Sequence, residues 1–282
     1  MSIIAEITNL EQRVQELLAK AGTYKSVDDF VKIYTEAILA ELGKISGDQL
    51  NTAELLPLVE KALEASADFI NVNLANEIQS GVGSVLDETT AFYAARNLEL
   101  PNLSDAVTNS RAATEIRDLF TTNMASMREE LRDGTIDVLQ DELAQGFLIR
   151  DDLEELIFQY ADGKAHYART NARMVVSTFN RIGREQIRES AELKHGYYYG
   201  DARVNTRPFC LHLIGKVFTI QQIEQMDNGQ LSPVSIYAGG WNCIHSWLWV
   251  DPEWDNQLKE KISTEPISTV DDEYLTIKVP GE

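Results

Sequence analysis

The chain has 282 residues, with 25 Lys and Arg against 45 Asp and Glu, for a net charge of -20. That length can bury a real core and is expected to hold two domains, and a 44% hydrophobic, 25% charged composition is that of a folded protein and excludes a disordered one. The acidic total argues against a protein that coats nucleic acid with its whole surface, and two cysteines, Cys210 and Cys243, are too few for a disulfide framework and make a reducing compartment the default.

The N-terminal stretch MSIIAEITNLEQ has no basic segment followed by a long apolar run, and no window of about 18 residues is free of charge, so neither signal peptide nor membrane span is expected. Leu10, Val14, Leu17 and Leu18 recur at the helical period, as do Phe30, Tyr34, Ile38 and Leu42, with Gly22 and Gly43 closing the two runs. Asn51 or Thr52 can cap a third helix, whose start Pro57 moves towards Leu56. Ser80-Gly81-Val82-Gly83-Ser84 reads as a hinge or loop between helices. Pro101 and Asn102 end one helix and Ser104 caps the next, which runs from Asp105 towards Gln145 with Asp133-Gly134 as an interruption and Gly146 as a stop. A short helix from Arg150-Asp151-Asp152 to Gly163 and a last one from Lys164 to Leu193 follow. No repeat of 20–50 residues is present.

After His195 the pattern changes to short β-branched or aromatic runs, such as Lys216 to Ile220 and Val234 to Tyr237, divided by turn residues. The expected fold class is α+β. A long, mainly helical N-terminal region spans 1–100, thought of as a docking part, and 101–195, with a basic connector helix. It is followed by a small Cys- and Trp-rich α+β domain over 196–255 and an extended acidic tail over 256–282. In that tail Lys259 to Ile262 predicts a helical turn and Tyr274 to Val279 a late strand.

Charge is unevenly spread. Residues 1–163 carry a net of -18, residues 164–188 carry +5 and residues 189–282 carry -7. At roughly 100° per residue, Arg169, Arg173, Arg181, Arg184 and Arg188 fall within an arc of about 120°, opposite Ala165, Ala168, Ala172, Val175, Val176, Phe179 and Ile182. Such a face can pair internally with the protein's own carboxylates (Asp151, Asp152, Glu154 and Glu155 among them), meet an acidic partner protein, or grip the phosphates of nucleic acid.

Cys210-Leu211-His212 and Cys243-Ile244-His245 supply two thiolates and two imidazoles, the ligand types and number of a tetrahedral zinc site, if each pair lies on a strand that turns both side chains to one face. Buried unligated thiols and a Cys210–Cys243 disulfide are the alternatives. Two further readings stay open. His212 and His245 can serve as a general acid and base, with Arg203 or Arg207 stabilising a phosphorane, although no carboxylate dyad, phosphate loop, G-x-S-x-G or H-E-x-x-H motif accompanies them. The chain can also be a helical adaptor whose C-terminal zinc ribbon-like module binds protein. The glycines and the tryptophan of Gly239-Gly240-Trp241-Asn242-Cys243 most simply build a compact core.

In order and spacing, Arg207-Pro208-Phe209-Cys210, Gly215-Lys216-Val217-Phe218-Thr219, Asp227-Asn228-Gly229-Gln230 and Gly239-Gly240-Trp241-Asn242-Cys243-Ile244-His245, followed by Trp247 and Val250, resemble the C-terminal domain of phage minor head (head morphogenesis) proteins, the group that includes the phage Mu minor head protein. The likeness covers residues 203–250, and Ile244 departs from the family's Arg between the last Cys and His. The resemblance implies a virion protein of a tailed-phage head. Such a minor capsid protein would be portal-associated and present in multiple copies, meeting the portal protein or the major capsid protein and packaged DNA, with no membrane. It would act in head assembly or in DNA packaging and ejection, made in the host cytoplasm and with no established enzymatic activity. Related domains have been likened to small ribonuclease-type toxin folds, which makes a nuclease or toxin-like enzyme using His212, His245 and Arg207 the alternative.

Overall fold

A stripe of Ile3, Ile7, Leu10, Val14 and Leu18 is buried along the first helix, α1 (Ile3–Ala21), and Val27, Phe30, Val31, Tyr34 and Ile38 are buried along the second, α2 (Lys25–Leu42). The computed structural model describes residues 2–44, 52–145 and 150–264. Gly22 and Gly43 stand just past the two helices, and the Gly43 N–H donates to Leu39 O at 2.9 Å. The expected Asn51 cap, the Gly146 stop and the Tyr274 to Val279 strand lie outside the described residues.

The helices that follow differ from the sequence expectation in both directions: several run through expected breaks, while the one expected from Asp105 is divided at 109–110. One helix, α3 (Thr52–Ala94), runs through Pro57 and through the expected hinge at 80–84. Pro57 removes a single backbone bond close to the helix start, and a glycine inside a helix costs only about 1 kcal/mol relative to alanine. Buried Ile78, Val85 and Leu86 on either side supply more than that. Asn102, rather than Ser104, caps α4 (Leu103–Thr108) by accepting from the Asp105 N–H. Next, α5 (Arg111–Gln145) passes through Asp133-Gly134. Gly134 is a point of close approach: a Cβ there would lie 1.8 Å from the hydroxyl oxygen of Tyr160, which donates to Glu130 O at 2.9 Å. The two helices expected on either side of Gly163 are one, α6 (Arg150–Ser190).

The C-terminal part contains β1 (His195–Tyr199), α7 (Pro208–Leu213), β2 (Val217–Thr219), α8 (Ile220–Glu224), α9 (Val234–Tyr237), β3 (Ser246–Val250), a 3-10 turn at Pro252–Trp254 and α10 (Asn256–Glu260). The three strands form one antiparallel sheet in the order β2-β1-β3. The fold is therefore α+β, with a long helical N-terminal region and a small sheet near the C-terminus. Val234 to Tyr237, expected to be extended, is a helical turn after Pro233: a four-residue apolar run carries too little periodicity to separate the two. The first part of the expected extended tail is also folded. Leu258 of α10 is fully buried, and Val217 exchanges backbone bonds with Lys261 and Ser263. Among the described residues no helix is long and apolar enough to cross a membrane.

The chain divides into two compact units, one built from residues 1–18, 82–115 and 176–282 and the other from 19–81 and 116–175. α1, α3, α5 and α6 each contribute to both. In the all-helical unit Phe30 and Tyr34 stack with centroids 6.1 Å apart, and the buried Tyr34 hydroxyl meets Thr135 Oγ1 at 2.8 Å. In the other unit one sheet face carries Tyr198, Phe218, Trp247 and Trp249, all essentially inaccessible, and Trp247 packs edge-on against Tyr198 at 4.5 Å and Phe218 at 5.9 Å.

Candidate metal centre

Pairing of β1 with β3 puts Tyr198 opposite Trp247, so that His245, two residues before Trp247, arrives beside the Tyr198 ring at 5.8 Å and nearly parallel to it. Arg207 and Pro208 start α7, whose single buried turn carries Cys210. The loop from Gly239 to His245 brings Cys243 to the same place. Cys210, Cys243 and His245 are all buried, and their ligand atoms lie within 4.8 Å of one another, an arrangement that can hold a metal ion.

Two distances fit such a role. The Cys210 and Cys243 sulfurs are 3.7 Å apart, and Cys243 Sγ lies 3.6 Å from His245 Nδ1. A tetrahedral zinc ion with Zn–S of about 2.3 Å and Zn–N of about 2.0–2.1 Å requires edges of about 3.8 and 3.6 Å. The far nitrogen of the imidazole, Nε2, stands 3.2 Å from Asp201 O, the outer partner that fixes a ligating histidine's tautomer. Both cysteines are free thiols. Hydrogen bonding from Cys210, then from His245, with Arg181 close by, holds Cys243 below the ordinary thiol range, while sharing that proton and burial push Cys210 up.

His212 is not in this cluster. The expectation that each C-x-H pair turns both side chains to one face assumes strands, and Cys210 and His212 lie on a helix, where two residues subtend roughly 200°. Cys210 is therefore buried while His212 is exposed. The pair His212 and His245 is accordingly split between surface and interior. Arg207 donates to Gly239 O at 2.8 Å and to Trp241 O, holding the cysteine loop.

The arginines of α6 do not present one exposed face. Arg181 donates to Cys243 O and to His245 O, the latter at 2.8 Å, and Arg184, fully buried, donates to Ser246 Oγ at 3.2 Å and Trp247 O at 3.4 Å. Arg169 pairs with Asp28 and Asp162, each at 2.7 Å, and Arg188 with Glu185 at 2.8 Å and Glu189 at 3.3 Å. Arg173 is half-buried. Tyr93 of α3 donates to Trp249 O at 2.9 Å and Gln15 of α1 to Ile244 O at 2.9 Å. The carbonyls of Cys243, His245, Trp247 and Trp249, alternate residues on the uncovered edge of β3 and its approach, are thus each taken by a side chain from a helix. An edge strand is otherwise left with unpaired backbone groups.

Glu11 lies beside this edge, and no sequence signal singles it out. Its Oε1 accepts from Gln15 at 2.7 Å, whereas Oε2 is enclosed without a protein partner, as are Arg181 Nε and Arg184 Nε and Nη2. Burial raises its carboxyl from 4.5 to about 7, against the opposing pull of Arg184, the Gln15 bond and Arg181. Folding then takes up a proton between these two values. The stability tied to Glu11 is greatest below about pH 4.5 and declines as pH rises to about 7, by about 3 kcal/mol in all. Urea unfolding across this window should show the decline, and Glu11→Gln should flatten it.

Compared with known proteins, the chain matches no family model, no curated protein and no solved structure.

Proposed function

We propose that the chain is a structural minor protein of a tailed-phage head, associated with the portal vertex and acting in head assembly or in DNA packaging and ejection. What carries this reading is that the stretches resembling phage minor head proteins are spent on one another. Arg207 holds Gly239 and Trp241, and Asn228 donates to Leu231 O and Ala238 O, each at 2.8 Å. Gln230 accepts from the Trp241 N–H at 2.9 Å, and Cys210 faces Cys243. Residues committed in this way build a module instead of lining a cleft. Ile244, where the family has Arg, offers its carbonyl to Gln15.

In this reading zinc is the ion held by Cys210, Cys243 and His245, where it staples a small domain whose sheet has three short strands among the described residues. The acidic helices are the part that docks, on the portal protein or the major capsid protein. Packaged DNA is no partner for Arg181 or Arg184, which are buried against the β3 edge. Purified particles should contain the protein at a copy number near that of the portal, measured by quantitative mass spectrometry of procapsids and virions. Absence from both would end the proposal.

A further inference from the structure

We infer that Tyr198 supplies the fourth ligand of the metal centre through its phenolate oxygen, which makes it a closed site of two thiolates, one imidazole and one phenolate. The inference rests on the zinc reading of Cys210, Cys243 and His245 and extends it.

The argument is geometric. The Tyr198 hydroxyl lies 3.3 Å from Cys210 Sγ and 3.8 Å from Cys243 Sγ. A zinc ion with Zn–O of about 2.0–2.2 Å requires O–S edges of about 3.5–3.7 Å, so both O–S separations are near those of an oxygen and two sulfurs on one ion. The residue that alternation along a strand would have nominated, His212, is on the surface, and Tyr198 occupies the inside position instead. Its ring is fixed between Trp247 and His245, and the side chain is fully buried. A closed, buried ligand set is the mark of a structural zinc site, since catalytic sites keep a position open to water or substrate.

Charge also fits. Two thiolates and a phenolate around a dication leave one negative charge. Arg181 is bonded to the carbonyls of both Cys243 and His245, and Arg207 to the loop that carries Cys243. Ligation through the phenolate means that the ion displaces the hydroxyl proton to solvent.

The test uses the full chain, stripped by chelation and titrated with Zn2+ and with Co2+. Zinc should bind one to one, with the ultraviolet difference spectrum of an ionised tyrosine. Tyr198→Phe keeps the ring against Trp247 and removes only the oxygen. It should lose the tyrosinate signal, release one proton fewer on zinc uptake, bind more than about 100-fold more weakly, beyond the range typical of outer partners, and give an altered cobalt spectrum. Zinc bound by both proteins with equal affinity, and no tyrosinate signal in the wild type, would overturn the assignment of Tyr198 while leaving the three-residue site standing. No zinc uptake by the wild type would overturn both. The wild-type spectrum decides the matter even if the variant fails to fold.

Discussion

Replacing Arg184 by alanine is expected to lower the unfolding free energy by about 3–5 kcal/mol, and replacing it by methionine to cost clearly less. Arg184 has 0% of its surface exposed. Its guanidinium lies 5.2 Å from the centre of the Tyr199 ring and is the cation that most strongly offsets the buried Glu11 carboxylate. Alanine would act in three ways at once: it opens a cavity among buried side chains, leaves Trp247 O on the β3 edge without its donor, and leaves Glu11 with less compensation. Methionine keeps most of the volume and the apolar stem, so it isolates the polar part of the loss. It also removes the charge whose Nε and Nη2 have no protein partner, which partly offsets that loss. Urea midpoints at unchanged slope, taken near pH 8 where Glu11 is ionised in the wild type, measure both. Costs below about 1 kcal/mol for alanine would show that the arginine is not a strut of the sheet edge. Equal costs for the two variants would assign the whole effect to polar contacts.

The early helices were legible because their apolar spacing and their stop signals agree. Leu10, Val14 and Leu18 lie on one buried stripe of α1, and Gly22 follows its end. The later helices were misjudged at glycine. Local sequence treats Gly81-Val82-Gly83 and Asp133-Gly134 as punctuation, but the cost of a helical glycine is smaller than the gain from flanking buried residues such as Val85 and Leu131. At Gly134 the reason for the glycine is the Tyr160 side chain from another helix, a contact no local window contains. The same limit applies to the two-unit division, because each unit gathers segments distant in sequence.

At the site, residue chemistry was legible and geometry was not. Two Cys and two His in matched pairs announce metal-ligand chemistry, and three of the four converge. Which histidine belongs depends on whether 210–212 is helix or strand, and a six-residue apolar segment opened by a proline does not decide that. Tyr198 is one of three consecutive tyrosines, and its closeness to the sulfurs follows from the β1–β3 register, a long-range pairing. The α6 arginines were legible as a clustered positive charge, and the acceptors of two of them are backbone carbonyls, which leave no trace in a charge count.

Gly239→Ala tests the cluster without touching any proposed ligand. A Cβ at Gly239 would lie 2.2 Å from Cys210 Sγ and 2.9 Å from Cys243 Sγ, both far inside contact distance. Neither sulfur has a flexible arm with which to retreat: each sits one carbon from a backbone that is itself held, Cys243 by the bond from Arg181 to its carbonyl and Cys210 within the buried turn of α7. Relief must come from swinging the 239–245 loop away or turning Cys210 out, and either change destroys the 3.7 Å sulfur spacing. The variant is expected to lose about 3 kcal/mol of stability, the upper end of the usual cost of overpacking, and to lose high-affinity zinc uptake. Gly163→Ala is the control. A Cβ there meets nothing within 4 Å, and α6 should gain up to about 1 kcal/mol from the better helix former. Thermal melts and metal titrations of the two variants therefore move in opposite directions or not at all. Unaltered stability and zinc uptake in Gly239→Ala would mean that the two sulfurs do not occupy the positions on which the metal centre depends.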